Sequence, residues 1–148
     1  METKATLTAN KKIARQSLEA SGKNDFSKFE KLIDTKKYKS HYPGQEKALD
    51  YEATVQLNKE YNVAFPDAKL TVEAQIAEGD LVLSRVTYNG IHKGELLGTP
   101  ATGKKVKLSG MTLQKIVKGK IVEEWNEFDS LGMLQKIGAI PELETAEY

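Results

Sequence analysis

Apolar positions recur with a helical period in the first part of the chain and with a strand period in the rest. From Thr8, which suits an N-cap, the stripe Ala9, Ile13, Ala14 and Leu18 predicts a helix to about Ala20, stopped by Gly22. Residues Met1 to Leu7 are expected to fray. A second short helix is predicted after Asp25, with Phe26, Phe29, Leu32 and Ile33 at helical spacing. The run KKYKSHYPG reads as a basic and aromatic connector that turns at Pro43-Gly44. A longer helix is predicted from about Gln45 to Val63, with Ala48, Tyr51 and Val55 on one side and Leu49, Ala53 and Leu57 on another. That broad apolar face suits a helix lying across a sheet. Phe65-Pro66-Asp67 breaks it.

Beyond that break the period changes. Leu70, Val72, Ala74 and Ile76 alternate with Thr71, Glu73 and Gln75, the pattern of a half-buried strand. Glu78-Gly79-Asp80 turns the chain, and Leu81 to His92 returns as a second strand. HKGELLGTPATGKK reads as a loop. A third strand, Val106 to Val117, pairs through a Lys118-Gly119 turn with a fourth, Ile121 to Phe128, and Gly119 permits the positive φ that tight hairpins require. At Asp129 the chain enters a short helix carrying Leu131, Met133, Leu134 and Ile137, with Gly138 as its stop. Helices first and an antiparallel meander afterwards define an α+β class. Residues 1–148 are expected to form one domain, with 1–7 and 141–148 peripheral. A twisted sheet curling around its covering helix encloses a conical, mostly apolar space, the usual form of a small-molecule site.

Composition narrows the function classes. A formal net charge of +1 and lysines spread along the chain argue against nucleic acid as a partner. No stretch approaches the roughly 18 apolar residues of a membrane helix, so no membrane partner is expected. Cysteine is absent, which removes disulfides and thiolate chemistry and fits a reducing, cytoplasmic setting. Two isolated histidines give no metal-ligand spacing. The glycines from Gly98 to Gly103 lack the Gly-Lys-Ser/Thr and following helix of a phosphate loop.

The stretch FPDAKLTVEAQIAEGDLVLSRVTYNGIHKGELLGTPATGKKVKLSG, followed by GKIVEEWNEFDSLGMLQKIGA, resembles the SnoaL-like polyketide cyclases and ester cyclases. The features that carry the resemblance are Phe65-Pro66-Asp67, the Glu78-Gly79-Asp80 turn and His92-x-Gly94-Glu95 leading to Gly98-x-Pro100-x-Thr102-Gly103. The closing hairpin with Trp125, Asp129 and Leu131-Gly132 matches as well. Similarity covers roughly residues 8 to 140 and is more specific in the second half. It implies a cone-shaped barrel of the nuclear-transport-factor-2 and ketosteroid-isomerase type: a curved antiparallel sheet wrapped around N-terminal helices, paired as a homodimer. It also implies ring closure of a polyketide ester by intramolecular aldol condensation, with a pocket aspartate as acid/base and no metal or cofactor. Where many relatives read Trp-Asp, this chain reads Trp125-Asn126. Asn cannot carry the proton, but it can orient a carbonyl or enolate oxygen.

Several residues are therefore candidates for the site. Asp129 is either a proton-moving acid/base or the N-cap of the last helix, and His41 is either a proton shuttle or structural. Asn126 is assigned to orient the oxygen that gains charge. Arg85, His92, Tyr51, Tyr88 and Trp125 are substrate-binding candidates, against edge pairing for Arg85, loop anchoring for His92 and core packing for the aromatics. Glu124 and Asn126 share one face of the last strand and Glu123 and Trp125 the other; a bulge would decide which face looks inward. The expected function is a cofactor-independent cyclase or isomerase for an apolar, carbonyl-bearing small molecule. The alternatives are a non-catalytic binding or dimerisation module and, more weakly, ester or epoxide hydrolysis.

Overall fold

The computed structural model describes residues 3–144. Helix α1 (Lys4–Gly22) starts four residues before Thr8, because the Thr3 hydroxyl accepts from the Thr6 N–H at 3.1 Å and supplies an earlier cap. Thr8 donates to the Lys4 carbonyl instead, inside the helix. The fraying expected of residues 4–7 is thus replaced by helix, while Met1, Glu2 and residues 145–148 lie outside the described residues. Helix α2 (Phe26–Leu32) follows its Asp25 cap. The connector after it holds a short strand, β1 (Lys39–His41), that the sequence pattern did not announce. Helix α3 (Tyr51–Ala64) begins six residues later than expected, capped by Asp50. Ser40 and Leu49 exchange backbone hydrogen bonds at 2.8 Å each, which ties that intervening segment back onto β1 as a loop.

The remaining elements are β2 (Lys69–Glu78), β3 (Leu81–Ile91), β4 (Lys105–Val117), β5 (Lys120–Phe128) and α4 (Ser130–Lys136). The sheet runs β1-β5-β4-β3-β2, antiparallel except where β1 lies parallel to β5. It is therefore mixed and open, with four long strands and one short one. No helix among the described residues is long and apolar enough to cross a membrane.

Two bulges decide which side chains face the helices. In β2, Val72 pairs with Val86 and Ala74 with Arg85, leaving Glu73 as the extra residue. A one-residue shift exchanges the faces. The expected alternation therefore holds only through Val72. Beyond Glu73 it is Gln75 and Ala77 that turn inward, and Ile76 is 67 % exposed. Gln75 uses its new position to donate to the Lys11 carbonyl of α1 and to the Ser84 hydroxyl. In β5, Lys115 pairs with Glu123 and Ile116 with Ile121, so Val122 is extra. Ile121 stays inward on one side of this bulge, and Glu124 and Asn126 turn inward on the other.

The core is divided. Phe29, Ile33 and Tyr38 pack on Val82, Ile116 and Ile121 at one end of the sheet. Phe65, Leu96, Val106, Leu108, Met133 and Ile137 pack at the other. Helix α3 does not close the space between them. Of its expected apolar face, Ala48 and Leu49 precede the helix and Tyr51, Ala53, Val55 and Leu57 are only half-buried; its fully buried residues are Thr54 and Ala64. Asn58, Tyr61 and Asn62 instead face a void.

Candidate functional site

The two core clusters leave between them a cavity of about 200 Å³. One wall is apolar, formed by Leu70, Leu108, Phe128 and Met133. The other carries Ser17 and Ser21 of α1, Asn58 and Asn62 of α3, and Tyr42. Glu124 and Asn126 of β5 and Gln114 of β4 lie in its wall. A second depression, along the edge of β2, is lined by the half-exposed Arg15 and Glu19 and by Lys23 and Lys69. It holds no comparable buried polar group.

Glu124 is 5 % exposed and receives three hydrogen bonds. The Tyr38 hydroxyl and the Ser40 hydroxyl (3.1 Å) donate to Oε1, and Gln114 Nε2 donates to Oε2 at 2.9 Å. Gln114 spends its other N–H on Ser17 Oγ at 3.0 Å, and Ser17 donates to the Ala14 carbonyl, so the carboxylate is wired to α1. Every neighbour bonded to Glu124 is a donor, the arrangement a carboxylate acceptor requires. Backbone pairing explains the geometry. Ser40 lies opposite Glu124 in the β1–β5 ladder, and Gln114 opposite Glu124 in the β4–β5 ladder.

Asn126 is the next residue of β5 on the same face. Its Oδ1 accepts from Thr112 Oγ1 at 3.0 Å, and its Nδ2 donates to Ser40 Oγ and to the His41 carbonyl, each at 3.1 Å. Both donor hydrogens therefore hold β1 in place.

Burial pushes the phenol of Tyr38 well above its usual ionisation range, with the Glu124 carboxylate as the next cause. Tyr42 is raised for the same two reasons, in that order, offset in part by the nearby polar side chains of Ser40 and Asn58. Tyr88, which also lines the cavity, is pushed up to about 12, chiefly by burial. In the unfolded chain these phenols ionise near pH 10. Their folded values are higher, so the stability they contribute is intact below about pH 10 and is lost as pH rises towards 12. Denaturant titrations across that range, with tyrosinate absorbance as a second readout, are expected to show falling stability and ionisation delayed until unfolding.

The other candidates lie elsewhere. Asp129 is exposed and caps α4, accepting from the Gly132 N–H at 3.0 Å. His41 is on the opposite face of the sheet, stacked on Trp125 with ring centroids 5.4 Å apart and Nε2 2.7 Å from Glu123 Oε2. Glu123 thus pairs with His41 rather than with a facing lysine; Lys115 reaches Asp80 instead. Arg85 is exposed on that same outer face, opposite Met111. Tyr51 stacks on Phe29 beside the first core cluster. His92 is fully buried, with its Nδ1 accepting from the Thr102 N–H at 3.3 Å and 3.0 Å from Thr102 Oγ1. None of these six lines the cavity, whereas Asn126 and Tyr88 do. Tyr38 belongs to the tyrosines (with Tyr42, Tyr51 and Tyr88) that the sequence offers as pocket lining or core packing, but its bond to Glu124 is not legible there. Ser40 and Gln114 are not singled out at all, because they meet Glu124 only through strand pairing. The signal available beforehand was the Tyr38-x-Ser40 alternation in the connector.

The cavity of this open α+β cone is concave and lined by both apolar and polar side chains, the form that small-molecule sites commonly take. The family model for SnoaL-like polyketide cyclases matches residues 11–137, and the chain belongs to that family. Similar solved structures include AclR, a candidate hydroxylase from Streptomyces galilaeus, at 25% identity and TM-score 0.83 over 93% of this chain and 86% of that one. IdmH, a candidate polyketide cyclase from Streptomyces antibioticus, aligns at 27% identity and TM-score 0.78 over 87% and 98%. A candidate SnoaL-like polyketide cyclase from Jannaschia sp. CCS1, at 22% identity and TM-score 0.84 over 95% and 99%, shares the fold. No curated protein matches the chain.

Proposed function

We propose that the protein is a cofactor-independent cyclase or isomerase that moves a proton on an apolar, carbonyl-bearing small molecule, with Glu124 as the acid/base. The carrying observation is a buried carboxylate, oriented by Tyr38, Ser40 and Gln114, in the wall of a cavity that is apolar on its far side. Family membership and the description of IdmH as a candidate polyketide cyclase support the reaction class. Glu124 takes the proton from the carbon next to the carbonyl. The Tyr42 hydroxyl, a donor on the same cavity, faces the oxygen that gains charge. In a cyclase the enolate then attacks a second carbonyl of the same molecule, one C–C bond forms, and Glu124 returns its proton to the new alkoxide. Confinement in about 200 Å³ holds the two ends of the substrate together. Asn126 and Ser40 are positioning residues, since they hold β1 against Glu124.

A direct test needs no knowledge of the natural substrate. Benzylacetone in deuterium oxide should lose its α-protons faster with the protein than without it, followed by proton NMR. Saturable binding with no accelerated exchange would instead support the non-catalytic binding module.

We also propose that two copies pair through the outer face of the sheet. Cross-strand partners share a face, so one row there reads Ile76, Leu83, Leu113, Trp125 and His41, and the next reads Ala74, Arg85, Met111 and Glu127. Met111 is 47 % exposed. An apolar centre flanked by both signs of charge is self-complementary under a two-fold axis. Light scattering should report a dimer, and Met111→Lys should shift it towards monomer without unfolding it. A monomeric wild type would end this part of the reading.

A further inference from the structure

The cavity has an unbalanced charge. Among the described residues that line it, Glu124 is the single ionisable carboxylate, and no Lys, Arg or His accompanies it. Tyr38, Ser40 and Gln114 solvate the carboxylate with their dipoles but bring no positive charge. A buried anion without a counter-charge is costly, and the low dielectric around it magnifies its effect on whatever enters. A carboxylate ligand would meet repulsion there, a neutral ligand no net charge–charge term beyond a hydrogen bond, and a cation attraction.

The rest of the lining says what kind of cation. Phe29, Tyr42, Tyr61, Tyr88 and Phe128 all border the space, and aromatic surroundings favour organic ammonium groups over strongly hydrated ions. Metal coordination needs several ligands, and the described residues contain no group of three His, Cys, Asp or Glu that could hold an ion. A volume of about 200 Å³ is slightly larger than the roughly 150 Å³ that accommodates benzene. One ring with a short substituent therefore fits inside it. We infer that the cavity is a site for a small organic cation: a protonated amine on a one-ring apolar body, its ammonium at Glu124 and its body against Leu108, Phe128 and Met133. The inference deepens the reading above, because the carboxylate that would accept the substrate's proton also sorts ligands by charge. An ammonium N–H would occupy the place of the acidic C–H, so amines would compete with a ketone for the cavity.

Three near-isosteric probes test it. Phenethylamine, phenethyl alcohol and phenylacetate are titrated into the full chain at neutral pH, followed by NMR shifts of the protein. Both the alcohol and the amine can donate to the carboxylate, but the ammonium adds a full opposite charge, enough for the amine to bind roughly tenfold more tightly than the alcohol. Phenylacetate is expected not to bind. Glu124→Gln should bring the amine down to about the level of the alcohol, with the alcohol, which can hydrogen-bond to the amide as well, changing far less than the amine. Glu124→Asp, which keeps the charge, should retain the preference and guards against a Gln variant that fails to fold. Equal binding of amine and alcohol, binding of phenylacetate as tight as either, a preference surviving in Glu124→Gln, or no binding by any probe would each overturn the inference. The deuterium-exchange assay is independent of it. Exchange that needs Glu124, without an amine preference, leaves the acid/base reading standing and ends this one; an amine preference without exchange does the reverse.

Discussion

Glu124→Gln is expected to slow deuterium exchange into benzylacetone by roughly a hundredfold to ten-thousandfold, the usual contribution of a positioned acid/base group. The substitution keeps the shape of the side chain and removes its ability to take a proton. Its structural consequences are small for a specific reason. The new amide can keep its oxygen towards the Tyr38 and Ser40 hydroxyls, which leaves its N–H groups facing Gln114. Gln114 can then turn its own amide over and present Oε1, the atom that lacks a partner in the native protein, while the Ser17 hydroxyl swings from the Ala14 carbonyl to donate to it. A folded, inactive variant is therefore the expected outcome, read by exchange rate and by unchanged near-ultraviolet circular dichroism. Tyr38→Phe, which removes one of three donors, should lower the rate on the order of tenfold and no more. Full activity in Glu124→Gln would remove the carboxylate from the mechanism altogether.

Gly94→Ala is expected to have the largest effect on stability. A Cβ built on Gly94 would lie 2.1 Å from the Val63 carbonyl oxygen and 2.8 Å from its carbon. Both are backbone atoms at the end of α3, so no side chain can swing aside. Relief requires the loop after β3 to lift, which would break the hydrogen bonds from the Lys93 and Gly94 N–H groups to the Ala64 carbonyl. It would also loosen Leu96, which packs with Phe65 and Ile137 in the second core cluster. The expected loss is about 3 kcal/mol, or roughly 6–12 °C in Tm for a chain of this size. A melting temperature within a degree or two of wild type would show that the loop is not clamped against α3.

The buried network around Glu124 shows where sequence reading ends. The pair Glu124 and Asn126 stood out as polar residues in an apolar strand, and their common face followed from the strand period alone. Their direction did not, because the extra residue Val122 exchanges the faces of β5. The same device in β2 moved Ile76 out and Gln75 in. Bulges depend on how two strands register, and that competition involves residues far apart in the chain.

Local signals carried part of the way. The helix start after Asp25, the Asp129 cap and the Lys118-Gly119 hairpin depend on backbone conformation within a few residues, and each is written in neighbouring side chains. The Thr8 cap and the helix start at Gln45 did not hold, because Thr3 and Asp50 supply those caps. The order of helices and long strands followed likewise from periodicity, and so did the α+β class. The resemblance carried by Phe65-Pro66-Asp67, the Gly98–Gly103 loop and the last hairpin identified the family correctly.

Assembly decided the site. Tyr38 and Ser40 reach Glu124 across 86 and 84 residues of sequence, through a three-residue strand too short to leave a period. His41, adjacent to Ser40, points to the other side of the sheet for the same reason that Ser40 points inward. Whether a polar side chain is a cap, a surface pair or the one charge in a cavity depends on what lies opposite it, and only strand pairing supplies that neighbour.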